Sequence, residues 1–252
     1  MYQVCPKCNY RRTEADQCSE DQCPKCGIIF SKWMKHQYSR KKGIYPDKNI
    51  TDKNLFLRIK DTLLYVNPGI DSAWFYTNIM IFIIFFFWGW QFILMDYSLY
   101  PDQIMNSFMH NINLVFHEAG HVFFKPFGRF MMILGGSLMQ LLVPLVLMLG
   151  FILKNNDNFS ASICLWWLGQ SLMDLAPYID DAMNQQLMLL GGKTGADSPG
   201  SHDWNNILIE FDILEKCHAY AKLTDMAGTL VMLLAFAWGI TILFKQYRQI
   251  KS

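Results

Sequence analysis

A mainly α fold, a polytopic membrane helix bundle of about five spans behind a small cysteine-stapled N-terminal domain, is predicted by three observations. Four segments of spanning length are nearly free of charge, a fifth is broken by regularly spaced polar residues, and two Cys-Pro-Lys-Cys sequences fall within the first 26 residues. The composition agrees: 52% of the 252 residues are hydrophobic and only 17% charged, more apolar than an ordinary soluble domain. Of the 22 Lys and Arg, 13 precede residue 61, against six acids there. The chain reads as a basic polar head on an apolar body.

Cys5-Pro-Lys-Cys8 and Cys23-Pro-Lys-Cys26 are separated by 14 residues, the spacing of a four-cysteine zinc ribbon over residues 1–35. Each pair can wrap two thiolates round one face of a tetrahedral ion. A segment this short buries too little apolar surface to fold without such a staple. Two structural disulfides are the rival reading. The N-terminus has no apolar core followed by a small-residue cleavage site, so the head is expected in the cytoplasm, where thiols stay reduced. Cys18 has no role in this scheme.

Residues 36–73 form a basic linker followed by an interfacial helix, in which Leu55, Ile59, Leu63 and Val66 share a face ahead of the turn Asn67-Pro68-Gly69. The membrane domain, 74–252, holds apolar spans at about 74–95, 130–153, 160–180 and 225–244, with the polar-striped segment 104–124 as a fifth. The positive-inside rule places the head inside, loop 96–103 outside, Lys125 and Arg129 inside, loop 154–159 outside and 181–223 inside. Five spans leave Lys245, Arg248 and Lys251 outside, a tension in that scheme. The expected location is an inner or plasma membrane.

Polar groups in a membrane helix are costly and face a bundle interior or a site, so 104–124 is where chemistry is expected. Asn106, His110, Asn113, His117 and His121 follow one another at spacings of 4, 3, 4 and 4, a stripe on one helical face. Within it, His117-Glu118-Ala119-Gly120-His121 is an HExxH sequence. Its two imidazoles, one turn apart, can hold one ion, and Glu118 stands ready as general base beside an activated water. His110, two turns earlier, reads as lining the site. A catalytic zinc needs a third protein ligand and an open position. The span 160–180 returns to the same end and closes in Asp174-Leu-Ala-Pro177-Tyr-Ile-Asp180-Asp181.

These two elements resemble the site-2 protease family of intramembrane zinc metallopeptidases, in which HExxH on one span is joined by an Asp from a later span, within Asn-x-x-Pro followed by Asp-Gly. The resemblance covers roughly residues 104–182, with Asp174 standing for the Asn and Ala182 where the Gly would be. It implies Asp181 as third ligand, with Asp180 and then Asp174 as alternatives. The Gly135-Gly136-Ser137 segment, with Gln140 and Pro144, reads first as helix packing, and the resemblance implies that it helps admit an extended substrate strand. In the loop 191–204, Asp203 reads as the cap of the next helix ahead of a catalytic role, and His202 as the best rival ligand or transition-state stabiliser. Gly192-Lys193-Thr194 is no phosphate loop, because Leu187 holds the position that needs Gly.

The expected function is therefore a zinc metalloendopeptidase, with one catalytic and one structural Zn²⁺, that cuts membrane-associated protein or peptide substrates near the cytoplasmic face. The alternative is a non-catalytic zinc-binding membrane receptor or scaffold. Nucleic acid is a disfavoured partner, since only Trp33, Tyr38 and Tyr45 interleave the Lys run.

Overall fold

The computed structural model describes residues 3–13, 16, 18–34 and 55–251, and divides into two compact units, Met1–Asp61 with Asn67–Gly69 and Thr62–Val66 with Ile70–Ser252. The basic linker 36–54, with Tyr38 and Tyr45, lies outside the described residues. Among the described residues the chain is mainly helical, with isolated bridges and no strand.

In the first unit each Cys-Pro-Lys-Cys sequence turns the chain back on itself. Antiparallel bridges join Val4 to Arg11 and Gln22 to Ile29. The turns are closed by Asn9 N–H donating to Cys5 O and Gly27 N–H to Cys23 O, both at 2.9 Å. The residue after the second cysteine lies in the left-handed region in both turns, Asn9 at φ 57° and Gly27 at φ 71°, where Asn and Gly are least strained. The four sulfurs lie within 4.8 Å of one another over the buried ring of Phe30, with Cys5–Cys26 and Cys8–Cys23 at 3.7 Å. An ion 2.3 Å from four tetrahedral sulfurs would separate them by about 3.8 Å. The cluster could hold a metal ion, and its thiols are free. Helix α1, Leu55–Leu63, buries no residue and exposes Leu55, Phe56, Leu57 and Ile59.

The second unit contains α2 (Ser72–Leu94), α3 (Pro101–Met105), α4 (Phe108–Phe124), α5 (Arg129–Gly150), α6 (Asn158–Asp180), α7 (Asp203–Glu210) and α8 (Cys217–Lys251). Asp71, Ser107 and Asp157 start α2, α4 and α6 by accepting from the N–H groups of Trp74, His110 and Ser160. Among the described residues, three stretches are long and apolar enough to cross a membrane: Ser72–Leu94, Arg129–Asn155 and Leu214–Lys251. Five such spans were expected. The 17 residues of α4 extend about 26 Å, and α6 buries Asn158, Ser162, Gln170, Ser171 and Asp174, so neither joins the three by length and apolarity.

Glycines let these helices meet backbone to backbone. A Cβ on Gly228 of α8 would lie 2.7 Å from the Gly169 carbonyl of α6, and one on Gly135 of α5 would lie 2.8 Å from the Gly120 carbonyl of α4. At one end of this unit, Asn158 Nδ2 donates to the carbonyls of Thr62 and Tyr65, Trp238 Nε1 to Leu63 O, and Lys245 Nζ to Leu64 O. Asn78 donates to Gln246 near the same end. At the opposite end Tyr97 packs on Leu175, Ile179 and Ala221, Arg129 donates to Asn206, and His218 Nδ1 lies 2.7 Å from Asp180 Oδ1.

Loops 96–100 and 125–129 thus share an end, although alternating spans were expected to separate them. The reason is the position of α4. It begins beside Asp174, where His110 Nδ1 lies 3.1 Å from Asp174 Oδ1, six residues and about 9 Å short of the α6 terminus. From there it runs back to the end from which the chain came.

Gly120→Ala would drive a methyl into the Gly135 carbonyl, whereas Gly150 has open space around it. Thermal unfolding in detergent should show Gly120→Ala destabilised by about 1–3 kcal/mol and Gly150→Ala near wild type.

Candidate metal centre

Positions 117 and 121 fall on one face of α4, and that face meets α5 at its smallest residues. Gly136 is what admits the two rings: a Cβ there would lie 2.5 Å from His117 Nε2 and 2.7 Å from His121 Cε1. Each ring is then held by its Nδ1. His121 Nδ1 donates to the Met132 carbonyl at 2.8 Å, and His117 Nδ1 lies 3.4 Å from Gln140 Oε1. The Gln140 amide is oriented by its nitrogen, which donates to Asp174 Oδ2 at 2.9 Å and to Ser171 O at 3.3 Å, leaving its oxygen for His117.

With the ring protons committed to Nδ1, both Nε2 lone pairs point at one carboxylate oxygen, Asp203 Oδ2, at 2.9 Å from His117 and 3.2 Å from His121. Acceptors so placed repel unless a cation stands among them. Ligand atoms about 2.0–2.2 Å from a tetrahedral ion are about 3.3–3.6 Å apart, close to these separations. His117, His121 and Asp203 could therefore hold a metal ion, and no fourth His, Cys, Asp or Glu among the described residues joins them.

The start of α7 fixes Asp203. Its own N–H donates to Tyr178 Oη at 2.9 Å, and the neighbouring Trp204 Nε1 donates to Ser137 Oγ of α5 at 3.1 Å. Asp203 is the first residue of α7 rather than its cap; His202 caps it, Nδ1 accepting from Asn205 N–H at 3.2 Å.

The remaining expected residues lie elsewhere. Asp181, expected as third ligand, turns into the loop after α6, where its oxygens accept from the N–H groups of Gln186 and Leu187 at 2.9 Å and Oδ2 lies 3.6 Å from His202 Nε2. Burial raises its carboxyl, but His202 and those two N–H groups outweigh it and hold the pKa low. Asp181 is thereby committed to shaping the loop that brings in His202 and Asp203. His202 is fully buried against the Tyr178 ring, outside the metal group. Asp180 pairs with His218. Asp174 accepts from Asn113 and Gln140 and meets His110, so it braces the centre from behind.

Glu118 lines, with His117, His121, Asp203 and His110, a cavity of ≈ 780 Å³ whose far wall is the loop residues Leu187 to Gly191. Compared with protein-family models, with curated proteins and with solved structures, the chain matches none.

Metal titration separates the two aspartates. Asp203→Ala should weaken ion binding at this centre by more than about 100-fold, Asp181→Ala should retain it, and Gln140→Leu, which frees the His117 ring, should cost about 10–100-fold.

Proposed function

We propose that this chain is a membrane-embedded zinc metalloendopeptidase that hydrolyses peptide bonds of membrane-associated substrates. The observation that carries the reading is the convergence of His117 Nε2, His121 Nε2 and Asp203 Oδ2, with Glu118 on the same cavity wall. Two imidazoles and one carboxylate suit zinc, and three protein ligands leave a position open, as a catalytic site requires and a structural one does not. A filled four-ligand set would instead have favoured a receptor or scaffold.

Zinc bound by these residues supplies a Lewis acid that polarises a peptide carbonyl and brings water into the range of a neutral-pH nucleophile. The protein's own groups do the rest. Gln140 and the Met132 carbonyl keep protons on Nδ1, so both Nε2 atoms remain donors to the ion. Glu118 accepts the proton from the attacking water and returns it to the departing amine. The cavity has room for a polypeptide backbone rather than only a small molecule, and its lining mixes the polar stripe of α4 with Leu187, Met188, Leu189 and Leu190.

The resemblance to site-2 proteases supports this reading through HEAGH, with the third ligand drawn from α7 instead of Asp181. The four-cysteine cluster would take the second, structural zinc. The segments expected at 104–124 and 160–180 are then polar helices inside the membrane domain, α4 entering from one face and α6 screened by α5 and α8.

Glu118→Gln should leave the zinc content at the wild-type value and lower peptide cleavage by about 100-fold or more, the range of a general base. Cleavage at the wild-type rate would remove the assignment.

A further inference from the structure

The chain path decides which face of the membrane the centre opens on. In the second unit α2, α5, α6 and α8 each run from one end to the other. The start of α2 lies against the end of α8 through Asn78–Gln246 and Phe75–Tyr247, and the start of α6 lies against residues 62–65 and near Trp238 and Lys245. The end of α6 lies against the start of α8 through Asp180–His218, and Tyr97, just beyond α2, packs there too. The turn 151–157 links α5 to α6 at the first end, so α5 begins at the second, where Arg129 meets Asn206. Helices α3 and α4 leave the second end and return to it. On this path the chain passes four times between the two ends, three times through the stretches apolar enough to cross a membrane and once through α6, and the second end carries Asp203, His121, the loop 181–202 and the cavity.

The nine basic residues after residue 60 divide almost evenly between these ends, and the excess lies in the sequence that precedes the second unit. Lys154, Lys245, Arg248 and Lys251 lie at the first end, as do residues 62–66, and in sequence 13 Lys and Arg precede residue 61, ahead of the first crossing. The second end holds Lys125, Arg129, Lys193, Lys216 and Lys222, five against the 17 Lys and Arg of the first end and the sequence ahead of it. Lys and Arg are retained on the cytoplasmic side of short membrane-flanking segments. Four passages also remove the tension of the C-terminal Lys245, Arg248 and Lys251, which now lie at the same end as residues 62–66.

We infer that the His117–His121–Asp203 centre opens on the extracytoplasmic face, opposite the end that carries residues 62–66 and the C-terminal lysines, and that its substrates are membrane-proximal polypeptide segments on that face. The substrate class rests on the peptidase reading; the sidedness rests only on the chain path and the charges. A cytoplasmic-face site, expected from five alternating spans, depended on a full crossing by 104–124, and α4 starts level with Asp174 instead.

Cysteine accessibility in spheroplasts tests the sidedness without reference to catalysis. Glu215 is exposed at the second end and Asn155 at the first, and neither lines the cavity. In the full chain, Glu215→Cys should add labelling by a membrane-impermeant maleimide in intact spheroplasts, above the wild-type background of native cysteines. Asn155→Cys should gain label only after lysis. The pair Lys216→Cys and Lys251→Cys repeats the comparison should a first-pair variant fail to fold. Label on both positions from the same side, or the reverse pattern, would overturn the inference. Loss of the peptidase reading appears separately, as cleavage that survives Glu118→Gln.

Discussion

Two imidazole nitrogens and one carboxylate oxygen meet at 2.9 and 3.2 Å with their lone pairs facing one another. Such an arrangement is repulsive on its own and attractive around a cation, so the surrounding structure has to hold it in place. Much of the second unit can be read as the means of doing so. Gly136 leaves room for the rings, Gly120 and Gly135 bring α4 and α5 into backbone contact, and Gln140 and Met132 fix the ring tautomers. Behind Gln140 stands Asp174, itself satisfied by Asn113 and His110, so the chain of hydrogen bonds ends in a buried carboxylate and not in an orphaned polar group.

The position of Asp203 depends on a loop rather than on a span. Asp181 gathers the N–H groups of Gln186 and Leu187 and draws close to His202; His202 in turn caps α7 and stacks on Tyr178. Tyr178 then receives the Asp203 N–H, which sets the Asp203 carboxylate beside the two histidines. Asp181, expected as the third ligand, therefore contributes to the centre as part of its scaffold.

The ribbon cysteines and the HEAGH pair were legible because both are local: two thiols or two imidazoles at fixed spacing share a turn whatever the rest of the chain does. The polar stripe on α4 was legible for the same reason, and Asn113, His110 and His117 do face the interior network. Asp203 was not, because His202 and Asp203 are adjacent and a shift of one residue in the helix start exchanges cap and ligand. Gln140 was read as part of a packing surface, since nothing in a lone amide announces which histidine it will meet. The crossing count was misleading for a physical reason: hydropathy reports the composition of 104–124 but not its depth. The contacts of His110 with Asp174 and of Asn113 with Gln170 reveal that α4 starts partway along α6. The polar face of α6 is legible once its neighbours are known, because Gln170, Ser171 and Asp174 bond to Asn113 and Gln140 instead of to water.

The His117–His121–Asp203 group and the four-cysteine cluster could each hold an ion, and the most direct test is metal analysis of the purified full chain, as wild type and with Cys5, Cys8, Cys23 and Cys26 all changed to serine. The account predicts about two zinc ions per chain in the first and about one in the second, since the remaining ion belongs to His117, His121 and Asp203. A single ion per chain that disappears with the four cysteines would contradict it.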